Sequence, residues 1–132
     1  MPALEPIVGV RVVAMPDAID AATWTPTTGT RILRTAPDEA FVWHPQAIVV
    51  ATLDDPDAIV EPESGFVAAT LSAADVDDIR RHVDVPLPPN VPALVQGKIA
   101  GVPASLGLAA GGEAILVTQA AYADELARRL RW

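Results

Sequence analysis

The chain has 132 residues, 51% of them hydrophobic, 20% charged and 5% aromatic, with no cysteine and a formal net charge of −8. Its length suits one domain, 1–132, and its apolar half excludes a disordered chain; the missing cysteines exclude a disulfide framework and thiolate chemistry, and the acidic balance argues against a nucleic-acid partner. With 24 Ala and 16 Val, the predicted core is extensive but built from small side chains, so burial at about 25 cal/mol per Å² accrues from many modest contributions.

In chain order, Ile7 to Ala14 is dense in Val and reads as a strand that ends at a turn signal, Met15-Pro16-Asp17. Ala18 to Trp24 fits a short helix, and Thr25 to Gly29 a loop. Thr30 to Thr35 and Ala40 to Trp43 read as a hairpin, because Pro37-Asp38 between them supplies tight-turn chemistry. Gln46 to Leu53 is a further Val-rich run, stopped by Asp54-Asp55-Pro56-Asp57. Ala58 to Val60 is a brief extended piece, broken by Pro62, which lacks the N–H of a central strand. Gly65 to Leu71 is the next strand.

A helix then follows over 72–83. Ser72 can cap it with Asp75 three residues on, a variant of the Ser-x-x-Glu box. Val76, Ile79 and Val83 recur at helical spacing, so one face should be buried. Asp75, Asp77 and Asp78 precede Arg80, Arg81 and His82, which matches the helix dipole. Four prolines between Val85 and Pro92 require an extended crossing. Ala93 to Ala100 and Val102 to Ala109 read as paired strands turning at Gly101, and Glu113 to Val117 as a third after Gly111-Gly112. The last element is a helix over 119–131: Tyr122, Leu126 and Leu130 form its apolar stripe, and Asp124–Arg128 and Glu125–Arg129 are stabilising pairs. Trp132 either packs back on the sheet, the favoured reading, or protrudes toward a partner. The whole is predicted to be α+β, a mainly antiparallel sheet with two principal helices, 72–83 and 119–131, packed on it.

The net charge is local. Residues 1–53 sum to −2, residues 54–84 to −7 and residues 85–132 to +1. The acids between Asp54 and Asp84 alternate with apolar residues, which predicts one acidic surface on a folded unit, either solvated or turned to a basic partner.

Chemistry-bearing motifs are sparse. His44 and His82 lack the spacing of a zinc pair. Ser64 lacks the upstream Gly of a nucleophile elbow and reads as a turn former; Ser72 reads as a cap and Ser105 as a strand residue. Asp54, Asp55, Asp57, Glu61 and Glu63 miss the offsets of a calcium loop, and Gly97, Gly101 and Gly107 lack the Lys-Ser/Thr of a phosphate loop. Arg31 and Arg34 point to opposite strand faces and make no anion clamp. The expected inventory is no catalytic residue, no metal ligand and no cofactor of the chain's own. No apolar run approaches the roughly 20 residues of a membrane span, and Met1 to Glu5 shows no secretory signal, so a cytoplasmic location is the expectation. Arg and Ala usage fits a GC-rich bacterial source.

Five segments in order resemble the gamma subunit of heterotetrameric sarcosine oxidases and the related folate-dependent aminomethyltransferases. They are Arg34 to Val42 around Pro37-Asp38-Glu39, Leu71-Ser72-Ala73-Ala74-Asp75-Val76, Val83 to Leu87, Lys98 to Pro103, and Glu113 to Ala123. In the second, Ala73 stands where the family has Gly. The resemblance implies a non-catalytic accessory subunit that associates with larger oxidase-type subunits, with flavin, nicotinamide and folate held elsewhere. It leaves two alternatives open. One is a folate or one-carbon-metabolite binder or aminomethyltransferase-like enzyme using Glu61, Glu63 or Asp38 as acid groups; the other is a homo-oligomeric structural protein.

Overall fold

A computed structural model describes residues 2–24, 31–43 and 50–132. The chain divides into two compact units, one formed by Ile7–Ser64 and the other by Met1–Pro6 with Gly65–Trp132. The strands pair mostly antiparallel, and three short helices accompany them, in keeping with the predicted α+β class.

In the first unit, strand β1 (Glu5–Val13) is followed by helix α1 (Pro16–Asp20), strand β2 (Thr23–Trp24), the hairpin β3 (Arg31–Ala36) and β4 (Glu39–Trp43), and strand β5 (Val50–Thr52). β4 lies between β3 and β1, with Val42 opposite both Ile32 and Val10. Ala36 pairs with Glu39, so Pro37-Asp38 is the turn, as its residues predict. The helix expected over 18–24 instead starts at Pro16 and ends at Asp20. Proline's fixed φ suits the first turn of a helix, where its missing N–H costs nothing. Thr23 and Trp24 then extend to pair with β5. Ala14, Ala18, Ile19 and Ala40 form a core of small residues, closed by Trp24, Leu53 and Ala58. The loop expected at 25–29, and most of the run from Gln46, lie outside the described residues.

Gly9 is sterically required in β1. A Cβ there would stand 2.6 Å from both the Phe41 ring and the Val42 carbonyl oxygen. The ring can lie over β1 only because that position has no side chain.

Strand β6 (Ile59–Leu71) is a single element of 13 residues that runs from the first unit into the second. The break expected at Pro62 does not occur, and Ser64, expected in a turn, is within the strand. The half around Pro62 is largely exposed, and β9 pairs only from Phe66 onward. Proline is tolerated in a strand where no ladder bond requires its N–H.

The second unit continues with helix α2 (Ala73–Ile79), one 3₁₀ turn (Arg80–His82), strands β7 (Ala93–Ile99), β8 (Val102–Leu108) and β9 (Ala114–Gln119), a 3₁₀ turn (Ala120–Tyr122) and helix α3 (Ala123–Leu130). The strand order is β6, β9, β8, β7. Alternate residues of all four strands, including Leu71, Leu116, Leu106 and Ile99, meet Val76 and Ile79 of α2 and Leu126 of α3 in one core.

Both principal helices are shorter than predicted. Ser72 is the cap of α2, and Val83 leaves the helix with extended backbone (φ −87°, ψ 127°) to bridge Ile99. Gln119 stays in the ladder opposite Phe66, which delays α3. At the far end Arg131 turns left-handed (φ 61°). The Trp132 N–H then reaches the Ala127 carbonyl at 2.9 Å and the Arg131 N–H that of Arg128 at 3.3 Å. These two bonds make a Schellman cap, and they return Trp132 to the core cluster as expected.

Candidate functional site

The acidic segment 54–84 is the strongest feature of the sequence, and the structure distributes its carboxylates over separate local tasks. Asp55 accepts the Met15 N–H at 2.8 Å and the Asp57 N–H at 2.9 Å, bracing the loop before β6. Glu61 meets Arg11 at 3.2 Å, and Arg11 also meets Glu39 at 3.4 Å. Hydrogen bonding and charge from Glu39 first, then from Glu61, hold the Arg11 guanidinium above its ordinary value. Asp75 accepts both the N–H and the hydroxyl of Ser72 at 2.8 Å and completes a capping box. Those bonds lower its pKa from the usual carboxylate value. Asp77 pairs with Arg80 at 3.3 Å.

Asp84 has a role that the sequence reading missed. Its Oδ1 accepts the Lys98 N–H at 2.9 Å and its own N–H goes to the Lys98 carbonyl at 3.0 Å. This ties the start of the proline crossing to β7. The signal was present in the run Val83-Asp84-Val85-Pro86, where an acid precedes an obligatorily extended segment.

Of the three acids named as candidate reacting groups, Glu61 and Glu63 stand two residues apart on one face of β6, and Asp38 is in the β3–β4 turn. Asp38 is exposed at the tip of the β3–β4 hairpin, with its carbonyl accepting the Ala14 N–H at 3.0 Å. Glu61 is paired with Arg11, and Glu63 is half-buried two residues along β6. Asp54, Asp55 and Asp57 make no ligand set: among the described residues no three His, Asp or Glu side chains are placed to hold a metal ion.

Arg34 is committed to structure. Its guanidinium donates to the carbonyls of Ala36 (3.0 Å) and Pro37 and to Asp20 (2.7 Å), fastening the hairpin turn to α1. His82 accepts from the Arg81 Nε at 3.3 Å, while its carbonyl accepts the Ala100 N–H at 2.7 Å. His44 lies outside the described residues. Ser105 lies on β8 opposite Gln96 and Val117.

Two open clefts lie on the second unit. One, of about 390 Å³, has Ile79, Leu130 and Trp132 as its apolar floor and Asp78, Arg81 and His82 on its rim. The other, of about 240 Å³, is uncharged and holds Phe66, Gln96, Ser105, Thr118 and Gln119. The Thr118 hydroxyl is already used, donating to the Pro103 carbonyl at 2.7 Å. Neither cleft places a nucleophile beside a base with a third group to orient it, the arrangement that covalent catalysis requires. Among the described residues no helix is long and apolar enough to cross a membrane.

The architecture is thus that of an α+β chain whose second unit carries two helices on one face of an antiparallel sheet, with Asp55, Glu61, Asp75, Asp77 and Asp84 of the acidic segment engaged in caps, braces and ion pairs. No protein-family model matches it, and no curated protein matches it by sequence. Among solved structures it is similar to a chain of the heterotetrameric sarcosine oxidase from Corynebacterium sp. U-96, in complex with pyrrole 2-carboxylate. The two share 13% identity at a TM-score of 0.75, over 98% of this chain and 80% of that one. The resemblance read from the five short segments is therefore matched by the fold.

Proposed function

We propose that the chain is a non-catalytic accessory subunit that associates with larger oxidase-type subunits in the cytoplasm of a bacterium. The observation that carries this reading is the shared fold, near-complete over this chain, with a component of a heterotetrameric oxidase. The local engagement of Asp55, Glu61, Asp75, Asp77 and Asp84 favours it over an enzyme, because those carboxylates already serve the fold. Flavin, nicotinamide and folate are then the business of the other subunits. The test is co-expression with the proteins encoded beside it, followed by size-exclusion chromatography. A stoichiometric complex is expected; a chain that stays monomeric and binds none of them would overturn the reading. Titration calorimetry with a reduced folate should give no heat, and saturable binding would favour the ligand-binding alternative.

A further inference from the structure

β7 is the last strand of the second unit's sheet, and only part of its outer edge is closed. The hairpin with β8 turns between Ile99 and Val102, so the backbone groups of Ala93, Val95, Gly97 and Ile99 face β8. Those of Leu94, Gln96 and Lys98 then face outward. Lys98 is satisfied at both its N–H and its C=O by Asp84, and the neighbouring Ala100 N–H by His82. Beyond Asp84 the chain enters the crossing with Pro86, Pro88, Pro89 and Pro92, which have no N–H to offer. Among the described residues, the outward N–H and C=O of Leu94 and Gln96 have no partner. Gln96 is exposed and Leu94 half-buried. The same crossing bears the exposed large hydrophobics of this unit, Val85 and Val91 at 38% and 39%. Val85 stands over Gly97, 3.7 Å from where a Cβ would be. An open stretch of backbone is thus flanked by apolar side chains.

We propose that this edge, from Leu94 to Gln96, receives an extended segment of a partner subunit, which adds one strand beside β7. The inference rests on the reading of the chain as an associating subunit. Two donors and two acceptors in strand spacing suit an extended backbone; a helix has backbone groups to spare only at its ends, donors at one and acceptors at the other. The edge is bounded by Asp84 on one side and Pro92 on the other, so any occupant makes four backbone bonds there. Four such bonds do not by themselves repay the entropy of bringing two free bodies together. A second copy held by this edge alone is therefore disfavoured, and the occupant is a segment of a subunit anchored at other contacts as well.

Amide hydrogen exchange tests this, comparing the free chain with its complex with the co-expressed neighbouring subunits. In the free chain the Leu94 and Gln96 amides should exchange fast while Val95 and Gly97, bonded to β8, are protected. In the complex the first two should slow at least tenfold. Protection of both in the free monomer, or no change in a complex that does form, overturns the strand-addition site and leaves the subunit reading standing; failure of any complex to form overturns both. Gln96→Pro removes the outward N–H together with the Gln side chain and fixes φ at that position, without taking a bond from the β8 ladder; it should leave the free chain folded while weakening the complex at least tenfold. Unchanged affinity in a folded Gln96→Pro chain overturns the proposal, and should that variant not fold, the exchange comparison decides.

Discussion

Ser72 and Asp75 show how single residues set the local structure here. Each accepts the other's backbone N–H, and the Ser72 hydroxyl also donates to Asp75. These bonds hold the folded-state pKa of Asp75 below its unfolded value, near 3.9. A depressed carboxylate pKa contributes stability that is present above the unfolded pKa and lost as pH falls through the folded one. Urea denaturation at a series of pH values should show stability falling below about pH 4, with a shallower fall in Asp75→Asn. Ser72→Ala should cost about 1 kcal/mol at neutral pH. At the other end of the unit, Arg131 adopts a left-handed conformation that disfavours any side chain. Arg131→Gly should therefore raise stability by about 0.5–1 kcal/mol, read as a higher urea midpoint at unchanged slope.

At the scale of elements, the β7–β8 hairpin depends on contacts far along the chain. Ala100 and Gly101 both have positive φ, the requirement of a two-residue primed turn. The Arg129 guanidinium of α3 donates to the Ala100 carbonyl at 2.7 Å while also pairing with Glu125. Of the two acid–base pairs predicted along α3, the structure closes this second one. On the opposite edge Asp84 secures Lys98 through its side chain. Asp84→Ala should lower stability by about 0.5–1.5 kcal/mol, the typical net worth of one such bond. It should also speed exchange of the Lys98 amide while leaving Gly97 protected, which separates a loosened edge from a damaged hairpin.

For the molecule as a whole, the charge of −8 is concentrated in 54–84, and two ways of associating follow from it. If the acidic segment were the docking surface, salt would weaken the complex strongly. Strand addition at an uncharged edge responds little. Between about 0.1 and about 1 M salt the screening length falls from about 10 Å to about 3 Å, and the ratio of the dissociation constants of the Gln96→Pro and unsubstituted complexes, which isolates the edge from the other contacts, is expected to change by less than about tenfold over that range. Sedimentation or light scattering across a salt series makes the comparison directly.

Much of the fold was legible in the residues. Alternating Val and Ile, the Pro-Asp and Gly turns, the Ser72 cap and the stripe through Leu126 identify the strands and helices, because each signal acts over a few neighbouring residues. The misread boundaries have tertiary causes. Pro62 remains within β6 because β9 does not pair with that half, and Gln119 remains a strand residue because Phe66 holds it. Val83 leaves its helix to bridge Ile99. The acids were equally ambiguous: composition counts charge but not the N–H or guanidinium that each carboxylate meets. The sequence by itself determined an acidic α+β chain, while its Ala count anticipated only the smaller core around Ala14, Ala18 and Ala40 and not the Leu- and Ile-rich core of the second unit. Only the tertiary structure decided that Asp55, Glu61 and Asp84 brace the fold and that, among the described residues, the outward backbone of Leu94 and Gln96 is left open, since hydrogen-bond partners come from residues distant in the chain.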